Sequence, residues 1–207
     1  MSLTKATYSM INGAQFNVLD YGADPTGVAD SAAAIQAAIT AASVSVGGST
    51  GTVVYFPTGT YKISQRITLP NRVGLQGANG RGVTIQPHST FADSYMFHAV
   101  NGTTAMFGSW MRDFQIDARG KNMTAVVWSQ AWQETCGMER VTILFDGTTN
   151  YGFKYTDGFG GAAYLRTSDC EIFSESTFAT AAGVFVDQVS VTGGFVLLFT
   201  FQRGRVF

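Results

Sequence analysis

Apolar and polar positions alternate with a period of two, in short bursts, along much of this chain. From Thr52 onward the bursts read as strands over Val53–Phe56, Tyr61–Ile63, Ile67–Leu69, Val73–Leu75 and Val83–Ile85, with turn residues between them. Upstream the period changes once. Ile35 and Ile39 stand four apart among alanines, which gives one apolar stripe on a short helix from Ser31 to about Ala42. Asp30 occupies the N-cap position, where a carboxylate accepts from the free amides of the first turn. Gly47-Gly48-Ser49-Thr50-Gly51 ends the helix.

Further along, one pattern recurs in Asp113–Asp117, Arg140–Leu144, Asp169–Phe173 and Gln188–Thr192. Aligned, these segments point Phe114, Val141, Cys170 and Val189 inward, and likewise Ile116, Ile143, Ile172 and Val191. Gln115, Thr142, Glu171 and Ser190 then share one outward column. Subtracting residue numbers, the rungs are 27, 29 and 19 residues apart, as expected when coils of a solenoid carry loops of different length. The pattern predicts an all-β parallel β-helix, with the helix covering strand edges at its open end.

The segment Phe16-Asn17-Val18-Leu19-Asp20-Tyr21-Gly22-Ala23-Asp24-Pro25-Thr26-Gly27, then Asp30-Ser31 and the Ala-rich helix, is followed by Val53-Val54-Tyr55-Phe56-Pro57-Thr58-Gly59-Thr60-Tyr61-Lys62-Ile63. This order resembles the opening of the pectate-lyase-like, right-handed parallel β-helix family of bacteriophage tailspikes and secreted polysaccharide-degrading enzymes. Thr4–Ile11 is similar to the lead-in that phage tail proteins place before such a domain. The resemblance runs from about Phe16 to Ile85 and continues as the rung pattern. It implies a right-handed solenoid with a short N-terminal capping helix, working without a cofactor. It also implies a virion protein that binds and degrades bacterial surface polysaccharide during host attachment, as a homotrimer joined to other phage tail proteins. A fold does not fix a reaction. A non-catalytic glycan-binding or structural tail module and a prophage remnant are the alternatives. Residues 1–15 read as a lead-in and 16–207 as the N-terminal part of the domain. The apolar run Gly193–Phe201 before the closing Gln202–Phe207 lacks a terminal cap, so a truncated reading frame, or a last coil capped by a partner chain, is expected.

Composition narrows the chemistry. A net charge of −1 offers no electrostatic case for nucleic acid or an anionic membrane, and no stretch is long and apolar enough to span a bilayer. The start Met1-Ser2-Leu3-Thr4-Lys5 has no apolar run behind it, which fits a virion protein released by lysis. Cys136 and Cys170 read as small buried residues, neither a disulfide framework nor a metal site.

Motifs of other chemistries fail on context. Gly47–Gly51 matches a nucleophile elbow but follows a helix and precedes a strand, the reverse of what that motif needs. Gly77–Gly82 lacks phosphate-loop spacing and reads as a turn between coils. Carboxylates remain. Glycoside hydrolysis uses two, roughly 5 to 10 Å apart, one protonated and one ionised. Asp169 and Glu171, two apart on a predicted strand, leave one face about 7 Å apart, and Asp113 falls in the column of Asp169. Asp113, Asp169 and Glu171 are therefore the candidate catalytic acids. Gln115, Thr142, Arg140 and Ser190 are the candidate substrate-binding residues, with no metal site. The same residues also make a solvated, partly salt-bridged strand face, which is what most surface charges do. Eliminative cleavage assisted by Ca²⁺ needs clustered oxygens, whereas Asp117, Asp146 and Asp157 read as scattered. Trp110, Trp128, Trp132, Tyr151, Tyr155, Phe159 and Tyr164 either stack on sugar rings or fill the core.

Overall fold

A computed structural model describes residues 16–45, 51–100, 106–129, 133–146, 151–156, 163–174, 182–187, 198–202 and 205–206. The chain adds strands pass by pass. The first pass is β1 (Phe16–Asn17), β2 (Thr26–Asp30) and helix α1 (Ala32–Ser45), and the second is β3 (Thr52–Phe56), β4 (Gly59–Ile63) and β5 (Ile67–Leu69). The third is β6 (Val73–Gly77), β7 (Val83–Pro87) and β8 (Tyr95–Ala99), and the fourth is β9 (Met106–Phe107), β10 (Trp110–Asp117) and β11 (Thr124–Ser129). Then come β12 (Gln133–Phe145) and β13 (Tyr151–Thr156), β14 (Ala163–Ser168), β15 (Glu171–Ser174) and β16 (Ala182–Asp187), and last β17 (Leu198–Gln202) and β18 (Arg205–Val206). The five strands predicted between Val53 and Ile85 all form, most of them a residue or two longer than the alternation alone marked.

Their pairing is parallel and builds three stacks. One runs β1-β3-β6-β10-β12-β14-β17, and a second runs β2-β4-β7-β10-β12-β15-β18. The long strands β10 and β12 belong to both and fuse them into one sheet. The third stack, β5-β8-β11-β13-β16, is a separate sheet. The described chain is thus mostly β, with parallel strands in curled sheets and one helix, an arrangement consistent with a parallel β-helix.

Register decides what is buried. Tyr61, Ile85, Ile116, Ile143 and Ile172 are register neighbours in the second stack, and all are fully buried. In the third stack Leu69, Ala99, Trp128 and Tyr155 follow one another, so a small alanine leaves space beside the tryptophan. Phe114 joins the stacks, with ring centroids 6.1 Å from Phe56 and 6.2 Å from Phe97. Phe114–Val141 and Ile116–Ile143–Ile172 stand in the expected register, and Cys170 is buried as the alignment placed it. The fourth aligned segment, Gln188–Thr192, lies outside the described residues. Both cysteines are buried, Cys136 Sγ donating to Met106 O at 3.4 Å, and burial pushes the Cys170 thiol up to about 11.

The first pass ends the stacks. Asp30 caps α1 by accepting from the Ala32 amide at 3.0 Å, and it also accepts from Ser64 N and Oγ in the next pass. Ile35, Ile39 and Ala32, Ala38 and Ala42 bury the stripe. Where β5 starts the third stack, its edge has no strand partner among the described residues. Gln36 takes that place: its Oε1 accepts from Thr68 N at 2.9 Å and its Nε2 donates to Thr68 O at 3.2 Å. A helical side chain thereby satisfies a strand edge, as the expected covering helix requires. Replacing Gln36 by Ala strands both Thr68 groups and should lower stability by about 1–3 kcal/mol, read as a reduced urea midpoint with an unchanged slope. An unchanged midpoint would mean that water replaces the side chain without loss.

Candidate functional site

Strands β10 and β12 pass from the first stack to the second through a single residue. Asp113 (φ 58°) and Arg140 (φ 52°) adopt left-handed backbone there, and Asp169 (φ 54°) does so between β14 and β15. Register places the three side by side, because Arg112 pairs with Glu139 and Phe114 with Val141, while Glu139 pairs with Ser168 and Thr142 with Glu171. The expectation that Asp169 and Glu171 leave one face of a single strand is corrected. Asp169 is the corner itself and β15 begins only at Glu171, so the two do not share one strand, although burial still alternates through them, with Cys170 buried between the partly exposed Asp169 and Glu171. A left-handed residue with a Cβ costs roughly 1–2 kcal/mol, less for Asp, whose short side chain bonds locally.

The corner side chains form a charged ladder on the outer surface. Asp113 accepts from Arg140 through both oxygens, Nε to Oδ1 at 2.5 Å and Nη2 to Oδ2 at 2.9 Å, and Gln76 Nε2 donates to Oδ2 at 2.6 Å. Arg140 Nη1 also meets Glu139, whose other oxygen lies 3.0 Å from Arg112 Nε. The Arg112 guanidinium lies 4.2 Å over the ring of Trp110, which packs on Gly74. Hydrogen bonds from Arg140 hold the Asp113 carboxyl below the usual carboxylate range; burial opposes this, and Gln76 and the Arg140 and Arg112 charges add to it. Asp113 is therefore ionised at neutral pH. Its contribution to stability is complete above the ordinary carboxylate range and is lost as pH falls through the lowered value. Beside the ladder, a Cβ on Gly77 would collide with the Asp113 carbonyl, so only glycine lets the Ala78–Gly82 loop start so close. That loop carries Arg81, whose Nη2 reaches Glu171 Oε2 at 3.3 Å, a pair exposed to solvent.

The expected polar column exists where the chain is described. Thr26, Thr60, Thr84, Gln115, Thr142 and Glu171 are successive register partners across the second stack. Thr142 is only 9% exposed, so Gln115 and Glu171 carry most of the accessible surface there. Ser190 lies outside the described residues, and the partner of Glu171 in the following pass is Arg205. Arg140 stands one corner away from the column and is tied to Asp113. Gln76, Arg81, Arg112 and Glu139 were not singled out from sequence. Their signal was present in the opposite-charge neighbours Arg112-Asp113 and Glu139-Arg140 at the same place in consecutive rungs. Of the aromatic candidates, Trp128 and Tyr155 are core residues, while Trp110 and Tyr151 are partly exposed. Trp132 and Phe159 lie outside the described residues, and Tyr164 is described by backbone alone. Among the described residues no three His, Cys, Asp or Glu side chains converge as a metal set.

With this geometry in place, comparison identifies the family. The model of the family described as rhamnogalacturonase A/epimerase, pectate lyase-like, matches residues 15–194, and the chain belongs to that family. It is 34% identical over 123 residues to mannuronan C5-epimerase AlgE1 of Azotobacter vinelandii, covering 54% of this chain and 8% of that protein. It is 57% identical over 47 residues to alpha-1,3-galactosidase A of Peterkaempfera griseoplana, covering 23% of this chain and 6% of that one. The chain thus spans less than a tenth of either relative's length. ORF18 of Geobacillus virus E2 shares the fold, with a TM-score of 0.56 at 20% identity over 84% of this chain and 40% of that structure.

The corner ladder makes a direct prediction. Arg140→Gly and Arg140→Ala lose the same ion pair, but only alanine keeps the left-handed penalty. The glycine variant should be the more stable by about 1 kcal/mol, measured by equilibrium urea denaturation. Equal stabilities would mean that the corner is not left-handed at Arg140.

Proposed function

We propose that this chain is the polysaccharide-handling part of a phage tailspike-type protein. Its three stacks close into a right-handed parallel β-helix that binds bacterial surface polysaccharide and cleaves it during host attachment. The observation that carries this reading is the polar column beside the acid ladder, with Gln115, Thr142 and Glu171 in strict register one strand spacing apart. A linear glycan also repeats along its length, and a column of hydrogen-bonding side chains on a rigid sheet offers it a preorganised track. Family membership and the mannuronan- and galactoside-named relatives support carbohydrate as the ligand. The phage ORF18 adds a likeness of fold only.

Hydrolysis is the chemistry proposed for the acids. Asp113, fixed and ionised by Arg140 and Gln76, serves as the charged carboxylate, and Glu171 and Asp169, two passes on, complete the acidic set. Arg140 positions Asp113, and Gln115, Thr142 and Ser190 hold the glycan. The protein acts as a homotrimer among other tail proteins on the virion, without a cofactor. One observation favours binding without cleavage as a second reading: both oxygens of Asp113 are already engaged by Arg140, and one by Gln76 as well. Release of new reducing ends from capsule or lipopolysaccharide separates the two readings.

The track itself is tested by the double variant Gln115→Ala with Glu171→Gln. Loss of two exposed or half-exposed polar contacts should weaken polysaccharide binding at least tenfold (about 1.4 kcal/mol) and leave the melting temperature within a degree or two. Undiminished binding in a folded double variant would remove the column as the site.

A further inference from the structure

Two residues beyond the polar column the outer surface of the second stack opens into a recess of about 370 Å³, lined by Gln86, Pro87, Asp117, Arg119 and Gly120. Its floor is built before any ligand arrives. Asp117 is 8% exposed, and its Oδ1 accepts from Arg119 Nε and its Oδ2 from Arg119 Nη2, both at 2.8 Å. Gln86 Nε2 donates to Oδ2 at 3.3 Å. Burial raises the Asp117 carboxyl, but the hydrogen bonds and charge of Arg119 outweigh it and leave the group below its ordinary value. The turn carrying Arg119 and Gly120 is held from the next pass, where the Asp146 carboxylate accepts from Gly120 N at 2.9 and 3.0 Å. Asp117 and Asp146, which read as scattered in the sequence, thus close on one turn. Lys121 secures its far side by donating to Ser89 O at 2.7 Å.

The chemistry of this floor is specific. The Asp117 and Asp146 carboxylates are balanced by the charges of Arg119 and Lys121 around the same turn, so the recess favours neither an anion nor a cation. A planar fork, a primary amide and carboxylate oxygens lie side by side, the mixture of donors and acceptors that neighbouring hydroxyls need. Pro87 contributes an apolar wall for C–H surface. The volume is at the small end of the range for small-molecule sites. Asp117 leaves β10 on the same face as Gln115, about 7 Å along the strand, so the recess opens beside the column.

We propose that this recess holds a single neutral pyranose unit, a side branch of the polysaccharide whose main chain follows the column. The choice of ligand rests on the function proposed above, while the recess itself does not. A glycan lacking that branch would then bind only through the column, which makes the recess the determinant of strain specificity.

The test is a titration of the full-length, ¹⁵N-labelled protein with glucose, galactose, mannose, rhamnose and N-acetylglucosamine, one at a time. At least one sugar should give saturable shifts at the Gln86 side-chain amide, Arg119 Nε–H and Gly120 backbone amide. Gln86→Ala should weaken that sugar at least tenfold without moving the melting temperature. Absence of saturable shifts at these three signals for every sugar overturns the proposal, and so do shifts that survive unchanged in a folded Gln86→Ala protein. The two readings fail separately. Recess shifts together with an inert Gln115/Glu171 double variant would sink the column and keep the recess. A silent recess together with lost polysaccharide binding in that variant would do the reverse.

Discussion

The structure depends on one constraint: each pass of the chain must satisfy its backbone hydrogen bonds on the pass before and the pass after, in parallel and in fixed register. Once Gln115 is bonded beside Thr142 and Thr142 beside Glu171, nothing else on those strands is free to move. The isoleucines at 116, 143 and 172 must superpose inside, and the polar residues must superpose outside. A slip by one residue would expose the whole apolar set, at roughly 1.5–3 kcal/mol for each large side chain. The core therefore enforces the register, and the register in turn places the surface residues.

The corners follow from the same constraint. A strand that must turn without losing its neighbours has little room, and one left-handed residue turns it fastest. Asp113, Arg140 and Asp169 all adopt this conformation at one level because a corner in one pass has to match the corner in the next. Their side chains project outward, and the bidentate pair between Asp113 and Arg140 sets an attraction against backbone strain. The longer Ala78–Gly82 turn of the third pass departs from the pattern and is the element that brings Arg81 to Glu171, three passes on. Variable turns on an invariant ladder are how such a surface acquires specificity while the core stays the same.

Much of this was legible in the sequence. Alternation located the strands, and aligned rungs gave the register of 113–117 with 140–144 and of 142–144 with 171–173, because packing in a shared apolar core tolerates no other superposition. The helix was legible from Ile35, Ile39 and the Asp30 cap, although it runs on to Ser45. The corner was not. A left-handed Asp is unremarkable in sequence, a left-handed Arg has no local signal at all, and so Asp169 read as strand. Ser190 lies outside the described residues, and Arg205, the neighbour of Glu171 in β18, stands in a segment too short for periodicity to mark. Gln36, the contact of Gln86 with Asp117 and the hold of Asp146 on Gly120 were hidden for a different reason. Each joins residues 26 or more apart, which only the register brings together.

The register is the claim on which column, ladder and recess all stand, and crosslinking tests it directly. Gln115→Cys with Thr142→Cys puts two cysteines on adjacent strands about 4.8 Å apart, within disulfide reach. Gln115→Cys with Leu144→Cys offsets them by two residues, to roughly 8 Å between Cα atoms, beyond it. Mild oxidation should crosslink the first pair quantitatively within one chain and leave the second reduced. Equal crosslinking of both pairs, or crosslinking of the second alone, would contradict the register and with it the site.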